Sequence, residues 1–443
     1  MLAISILVGL MLCFAQIIGN MMLILASLAS FMLFVAWCSS CDFTLPVLLF
    51  FLPWSPIMKM NPNSFSWYTF GLVLVCVIGA IKKRFSLRKY QIVAGLVLMA
   101  VTLLSKLLDG SGLSFDYIAF MMMIVAFPVI REEDRKKKYD FTQIVLFFSL
   151  GIIIASMCAM FFSEYSNIRR FIKVDAYQTI IRRSGFYGDA NFYVAHILAA
   201  MGGALSLTLQ EKKRSKVIAL VVTILFLLYC GFLSGSKSFV LVAAVVLLFW
   251  IIATLRLRGR MGLKIVLLSC FLGAAIFITT SALFGDLIDV IFTRFSGASD
   301  MDSLTTGRLG LWKSYVDEIF SDFKVFFLGR GFSNIKVNGR GSHNTIIQVF
   351  YQLGLLGVPA LICWIVGFYR SGKYAGMKRK KFGLHQLMIF VGTFVPWLAI
   401  DAMFFDEFFL LQWYMLVALA QSGTPETAKA STCKIHLRLW KKR

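Results

Sequence analysis

The sequence predicts an all-α, polytopic integral membrane protein with about 12 to 14 transmembrane helices. Hydrophobic residues fill 59% of the 443 positions and charged residues only 15%, a composition far outside that of soluble domains. Short basic clusters separate the apolar runs at alternate breaks, as expected for the loops on one side of a membrane. Residues 1–421 are therefore expected to form a single transmembrane domain, followed by a basic tail at 422–443.

The apolar runs are long enough to place each span. Pro46 and Pro53 interrupt the third run, and the third and the last are short, so a count of about 12 stays open beside one of about 14. We expect spans at Leu2–Ile18, Met21–Trp37, Phe43–Trp54, Trp67–Ile81, Tyr90–Leu108, Phe115–Ile130, Phe141–Phe162, Asn191–Leu209, Val217–Leu233, Phe239–Leu255, Ile265–Phe284, Asn344–Tyr369, Leu384–Ile400 and Phe405–Ala420.

Basic residues determine the predicted orientation of the chain. They cluster at 82–89, 131–138, 212–216, 256–264 and 370–381 and in the tail. By the positive-inside rule these loops are cytoplasmic, so both termini lie inside. The net charge of +23 then reflects the orientation of the chain in the membrane. We therefore expect membrane lipids and not nucleic acid as a partner.

Two loops on the predicted outer side, 163–190 and a large one at about 285–343, are too long to be mere connections. The first carries a net positive charge where positive charge is normally depleted. Its cations are Arg169, Arg170, Lys173, Arg182 and Arg183, and its acids are Glu164, Asp175 and Asp189. An anion at the outer face is the natural partner, and lipid phosphates at the interface are an alternative of equal weight.

The large outer loop contains a pattern typical of an amphipathic helix. Its apolar residues recur at helical spacing: Leu309, Trp312, Val316, Ile319, Phe320 and Phe323. The spacing predicts one helix lying on the membrane, with Arg308 and Tyr315 on its wetter flank. For Arg308, the alternative to a ligand-binding role is anchoring at lipid headgroups.

A histidine enters the next predicted span from the outer side. His343 follows the stretch Gly339-Arg340-Gly341-Ser342, whose glycines let the backbone come close to a ligand and whose arginine supplies a cation. A lone histidine is more often structural than catalytic. Beside an anion-binding surface, however, a neutral imidazole can accept a proton from a hydroxyl nucleophile, so His343 is a candidate general base.

Three motifs follow one another between Arg182 and Gly357. The first is Arg182-Arg183-Ser184-Gly185-Phe186-Tyr187-Gly188-Asp189-Ala190-Asn191, and the second is the outer turn Ser234-Gly235-Ser236-Lys237-Ser238. The third combines Gly307-Arg308 and Trp312 with Leu328-Gly329-Arg330-Gly331, His343-Asn344, Gly354 and Gly357. In their order and shared predicted location, these motifs resemble the O-antigen polymerase and ligase superfamily of bacterial envelope glycan assembly, the Wzy type. Ala190 stands where that family usually has proline, Lys237 where it has arginine, and Gln352 where it often has an acid.

The resemblance implies a glycosyltransferase that moves a glycan from polyprenyl pyrophosphate onto a sugar hydroxyl at the outer face of the bacterial cytoplasmic membrane. Planar guanidinium groups suit phosphate oxygens, so the departing diphosphate would be bound by Arg182, Arg183, Arg308 and Lys237. His343 would deprotonate the acceptor, which gives inversion through a single displacement. Asn191, Asn344, Arg340 and Trp312 would support the site.

We expect no cofactor and no metal. No carboxylate or histidine cluster with metal-ligand spacing occurs on the predicted outer side, so arginine would replace a divalent metal. The cytoplasmic segments lack a nucleotide-type phosphate loop and are too short for a nucleotide-sugar glycosyltransferase domain. Asp401, Asp406 and Glu407 in the last outer turn could bind the acceptor's sugar hydroxyls, but membrane topology alone also favours acids there.

Two other functions compete with a polymerase. A ligase uses the same chemistry with another acceptor, and the sequence does not choose between a repeat unit, a lipid core and a protein hydroxyl. A lipid-glycan flippase or exporter would suit the span count, but transporters usually carry mid-span charges and related halves. The long, asymmetric outer loop favours an enzyme, and we expect a polymerase, with a chain-length regulator as a candidate partner.

Overall fold

The protein is built almost entirely from helices that pack side by side. The computed structural model describes residues 1–60, 65–82, 89–110, 118, 120–124, 140–172, 176–177, 180–181, 183–296, 307–332, 336–370, 383–404 and 406–421. In these ranges the only strands are Ala176–Tyr177 and Ile180–Ile181, which pair antiparallel. Residue Arg182, the cluster at 131–138 and the tail 422–443 lie outside the described residues.

Most helical elements lie at the predicted spans. The predicted span Phe115–Ile130 lies mostly outside the described residues, and the spans Phe239–Leu255 and Ile265–Phe284 fall in one helix that continues to Ser296, into the predicted large loop. The α-helices are Leu2–Ile18, Met21–Ser40, Thr44–Phe51, Trp67–Ile81, Lys89–Leu108, Phe141–Phe161, Ser166–Arg169, Ala190–Gln210, Arg214–Leu233, Lys237–Ser296, Arg308–Ser321, Phe323–Leu328, Thr345–Arg370, Leu384–Phe394 and Asp406–Gln421. Short 3₁₀ turns occupy Leu52–Ile57, Val395–Ala399 and Ala402–Phe404.

Seven helices in the described part of the chain are long and apolar enough to cross a membrane: Met21–Ser40, Lys89–Leu108, Phe141–Phe161, Ala190–Gln210, Arg214–Leu233, Lys237–Arg260 and Thr345–Arg370. Five shorter apolar helices accompany them. The prediction of an all-helical polytopic membrane protein is confirmed at this level. The count of about 12 to 14 spans stays a prediction, since the shorter helices do not reach the usual spanning length.

Local sequence explains where several helices begin and break. Asp140 caps the Phe141–Phe161 helix in a capping box with Gln143, which satisfies backbone N–H groups that the first turn leaves unpaired. Gly259, with φ of +49°, divides the long Lys237–Ser296 helix into two apolar segments. Gly354, with φ of +59°, interrupts the Thr345–Arg370 helix, because only glycine adopts this backbone conformation without strain.

The Ala190–Gln210 helix lies at the centre of the bundle. It is the most deeply buried of the seven, with 89% of its apolar stretch inside the protein. Glycines bring its neighbour Leu384–Phe394 into backbone contact: a Cβ at Gly392 would lie 2.4 Å from the Leu198 carbonyl oxygen. Small residues permit such close packing of membrane helices. The residues that open this central helix therefore sit on a rigid support.

Loops that we predict to be cytoplasmic contact one another in pairs. Lys82 Nζ donates to the Ser40 carbonyl at 2.9 Å, and the Arg258 guanidinium donates to the Glu211 carbonyl. At the predicted outer end, the Gln16 amide donates to the Lys59 carbonyl at 2.8 Å. The orientation of these two ends relative to the cytoplasm stays a prediction.

Candidate functional site

The first two sequence motifs lie against each other. We call residues Arg183–Asp189 the arginine loop and Ser234–Ser238 the serine turn. The Arg183 N–H donates to the Leu233 carbonyl at 3.0 Å, and the Ser236 hydroxyl donates to Asn191 Oδ1 at 3.1 Å. The structure therefore brings together Arg183, Asn191 and the serine turn, which contains Lys237.

Short-range contacts hold the arginine loop in its shape. The Ser184 hydroxyl donates to the Tyr187 carbonyl at 2.5 Å, and Asp189 accepts from the Asn191 N–H at 2.6 Å to cap the central helix. Gly185 has φ of +59°, and a Cβ there would lie 2.9 Å from the Tyr193 ring. The loop thus requires glycine at this position both for its backbone angle and for space.

A cavity of about 140 Å³ opens beside the arginine loop. Glu164, Arg169 and Arg183 supply its charged lining, and Met157, Met160, Ile172 and Leu233 supply apolar walls. Within it, Ser156 Oγ and Tyr193 Oη are hydrogen-bonded at 2.6 Å. Two arginines and one glutamate beside an apolar wall form a surface suited to an amphiphile with an anionic head group.

The loop that carries His343 is held from two sides. We call residues Gly341–Asn344 the histidine loop. Trp312 Nε1 donates to the Ser342 carbonyl at 2.9 Å, while Asp401 Oδ1 accepts from the Ser342 hydroxyl at 2.6 Å and from the Asn344 N–H at 3.2 Å. The predicted supporting residues Trp312 and Asn344 are thus parts of one hydrogen-bonded unit around His343.

His343 itself has an unusual backbone and an unsatisfied side-chain nitrogen. Its φ is +48°, a left-handed conformation that non-glycine residues adopt only when their surroundings impose it. Its Nδ1 is buried and has no hydrogen-bond partner among the residues that the structure describes. Buried polar atoms are rarely left unpaired, and the described residues contain several others, among them both nitrogens of His196.

The helix of the large loop differs from its predicted pattern. It ends at Ser321, because Asp322 caps a separate helix, Phe323–Leu328. Tyr315 is 0% exposed, so its predicted position on the wetter flank is wrong: its hydroxyl donates to the Arg340 carbonyl at 2.8 Å, which allows burial. Phe320 and Phe323 are instead 69% and 79% exposed. Contact of this apolar face with lipid stays a prediction.

The remaining predicted cations differ in their surroundings. Arg308 and Lys237 are half-buried and each begins a helix, whereas Arg340 is exposed in a short turn. Arg330, from the third motif, donates to Glu318 Oε1 at 2.8 Å and has Asp322 and Asp109 within 3.8 Å. These carboxylates neutralise Arg330, so we assign it a structural role.

One buried cluster was missed by the sequence analysis. His196 Nε2 lies 3.3 Å from Glu407 Oε1, and the Tyr187 hydroxyl donates to the same oxygen at 3.1 Å. The sequence offered a signal, since a histidine inside an apolar span is a functional candidate by default. Glu407 and Asp401 flank the Ala402–Phe404 turn, so the arginine loop and the histidine loop attach to the same short stretch of chain.

The described residues contain no group of three His, Cys, Asp or Glu side chains positioned to hold one metal ion. Comparison of the chain with protein-family models and with curated proteins finds no match. Function is therefore inferred from the residues of the site and their geometry.

Proposed function

We propose that this protein joins polyprenyl-pyrophosphate-linked oligosaccharide repeat units at the outer face of the bacterial cytoplasmic membrane, by metal-independent, inverting glycosyl transfer. One observation carries the proposal. The arginine loop and the histidine loop, which are far apart in sequence, both attach beside the Ala402–Phe404 turn, through Glu407 and Asp401 respectively. A cationic surface and a candidate base at one end of a membrane bundle suit an anionic, lipid-linked substrate.

The donor would occupy the cavity beside the arginine loop. Arg183 and Arg169 line this cavity together with apolar side chains, so the diphosphate would bind the guanidinium groups and the polyprenyl chain would follow the apolar wall. Arg182, Arg308 and Lys237 complete the proposed diphosphate ligands. Arginine suits this role because it stays charged and donates two parallel hydrogen bonds to phosphate oxygens.

The acceptor would be activated by His343. In the proposed step, the imidazole of His343 takes the proton of a sugar hydroxyl while the hydroxyl oxygen forms a bond to the anomeric carbon of the donor. The bond between that carbon and the diphosphate oxygen breaks, and the diphosphate leaves with the electron pair. Attack from the face opposite the leaving group inverts the configuration at the anomeric carbon.

Replacement of His343 tests this mechanism. Asparagine is the sharper substitution, because it tolerates positive φ better than other non-glycine residues but does not act as a base. We expect His343→Asn and His343→Ala to abolish chain growth while membrane insertion stays normal. Near-normal polymer from His343→Asn would remove His343 from the mechanism.

Deletion of the protein separates the polymerase from its rivals. A polymerase deletion should leave single repeat units displayed outside the cell. Repeat units trapped inside would indicate a flippase, and free polymer that is not attached to its final acceptor would indicate a ligase. Fusions of topology reporters at residue 182 and at His343 should both report the outer side, and opposite compartments would overturn the proposed site.

A further inference from the structure

We propose that Glu407 and His196 are positioning residues, which hold the arginine loop in place through Tyr187. The anchoring itself follows from contacts in the structure, and its effect on donor binding rests on the proposed function. None of these three residues belongs to the proposed diphosphate ligands or to the candidate base. Tyr187 and Glu407 are hydrogen-bonded, and His196 packs against both where the central helix, the arginine loop and the first turn of the Asp406–Gln421 helix meet.

The cluster is deeply buried. His196 is 0% exposed and Glu407 is 4% exposed, and the Tyr187 ring lies edge-on to the imidazole at 4.9 Å. An isolated carboxylate is costly to bury, so it needs a partner charge or hydrogen bonds. The Tyr187 hydroxyl donates to Glu407 Oε1, and Glu407 lies in the first turn of the Asp406–Gln421 helix, where the helix dipole favours negative charge. His196 Nε2 lies 3.3 Å from the same oxygen but makes no hydrogen bond with the described residues.

Tyr187 transmits this anchor to the arginine loop. Its hydroxyl proton is shared between Glu407 Oε1 at 3.1 Å and the Leu52 carbonyl at 3.0 Å, and the Ser55 hydroxyl lies 3.4 Å away, so the side chain bridges two elements of the bundle. Its carbonyl accepts the hydrogen bond from Ser184, the residue next to Arg183. A displaced Tyr187 would therefore shift Ser184 and with it the guanidinium that lines the cavity.

The neighbouring acid provides a matched control. Asp406 also begins the Asp406–Gln421 helix, but its carboxylate accepts from the Thr69 hydroxyl at 2.9 Å and not from Tyr187. Replacing either acid removes one carboxylate from the same helical turn. Only the loss of Glu407 removes the contact with Tyr187.

The first experiment measures hydrogen exchange of residues 184–190 in the purified full-length protein. We expect Glu407→Ala to accelerate exchange in this segment, Glu407→Gln to do so less because its amide oxygen still accepts from Tyr187, and Asp406→Ala to leave it at the wild-type rate. Tyr187→Phe removes only the hydroxyl and tests the same link if Glu407→Ala does not fold. Wild-type exchange in Tyr187→Phe and in the folded Glu407 variants would overturn the inference.

The second experiment measures chain growth against the concentration of lipid-linked repeat unit. We expect Glu407→Ala and Tyr187→Phe to raise KM for the donor roughly tenfold with a smaller change in kcat, as for loss of a hydrogen bond to a charged group. The double variant should raise KM by less than the product of the two single effects, because both variants remove the bond between Tyr187 and Glu407. Faster exchange with an unchanged KM would overturn the positioning role.

The two experiments separate this inference from the proposed function. If wild-type protein forms no polymer but Glu407→Ala still loosens the arginine loop and Asp406→Ala does not, then the anchor stands and the proposed function fails. If wild-type protein forms polymer and neither Glu407→Ala nor Tyr187→Phe changes exchange or KM, then the function stands and the anchor fails.

Discussion

The indole nitrogen of Trp312 donates a 2.9 Å hydrogen bond to the carbonyl oxygen of Ser342, the residue before His343. Trp312 lies on the Arg308–Ser321 helix of the large loop, and on the same helix Tyr315 donates to the Arg340 carbonyl. Two side chains of this helix thus hold the backbone on the N-terminal side of His343. The helix therefore fixes the position of the candidate base.

The Trp312 bond can be removed with little change in packing. Trp312→Phe keeps an aromatic ring but loses the donor, which costs about 1 kcal/mol for a neutral hydrogen bond. If the loss raises the activation free energy by this amount, chain growth slows about fivefold. The measurement is the initial rate of polymer formation, with Trp37→Phe, an exposed tryptophan on another helix, as the control. Equal rates in the two variants would argue against the role of Trp312.

Arginine and lysine should not be interchangeable at Arg308. A lysine keeps the charge but cannot form two parallel hydrogen bonds with a phosphate. We expect Arg308→Lys to lower chain growth at limiting donor by roughly tenfold, in line with the loss of one charge-assisted hydrogen bond. The control is Lys313→Arg, on the exposed side of the same helix. Full activity of Arg308→Lys would identify Arg308 as a headgroup anchor.

Gly354 should tolerate substitution much less well than Gly339. Both have positive φ, but a Cβ at Gly354 would lie 2.5 Å from the Phe327 carbonyl carbon, whereas nothing lies within 4 Å of one at Gly339. We expect Gly339→Ala to cost about 1 kcal/mol from backbone strain and Gly354→Ala at least about 3 kcal/mol, because strain and a backbone clash add. Thermal unfolding in detergent measures the loss of stability in both variants. Similar losses would show that the backbone around Gly354 shifts to accommodate the added Cβ.

The Arg308–Ser321 helix of the large loop should be less stable at alkaline pH. Burial raises the pKa of Tyr315 from 10.0 to about 12. Above pH 10 the unfolded chain releases the phenol proton while the folded chain keeps it, so stability falls as the pH rises from 10 towards about 12 and is unaffected by this group below pH 10. Hydrogen exchange of residues 307–343 against pH measures the effect. Tyr315→Phe lacks the titrating group, and an equally steep alkaline rise in its exchange would contradict the assignment.

Chelation should leave the reaction unaffected. The proposed mechanism stabilises the leaving diphosphate with guanidinium groups and does not call for a divalent metal. We expect full chain growth after EDTA treatment followed by dialysis into metal-free buffer. Loss of activity that added Mg²⁺ or Mn²⁺ restores would require a metal site and a different account of the leaving group.

Sequence patterns supplied candidate site residues but not the contacts between them. Asn191 and the serine turn were singled out as separate motifs, and their contact depends on helices that meet only in the folded bundle. Tyr315 was misplaced because helical spacing alone does not show that its hydroxyl finds the Arg340 carbonyl. His196 was missed because its partner, Glu407, is remote in sequence, and spacing within one helix carries no information about it.

The sequence by itself determined that this protein is an all-helical membrane protein, and it identified the arginines and the histidine of the candidate site. Apolar run length is a local property of the chain, and the bilayer forces such runs to pair their backbone groups within helices. Only the tertiary structure decided which polar side chains share a partner, such as Tyr187 and Glu407, which are 220 residues apart. Buried hydrogen bonds depend on which helices pack together, and that choice arises from contacts between remote parts of the chain.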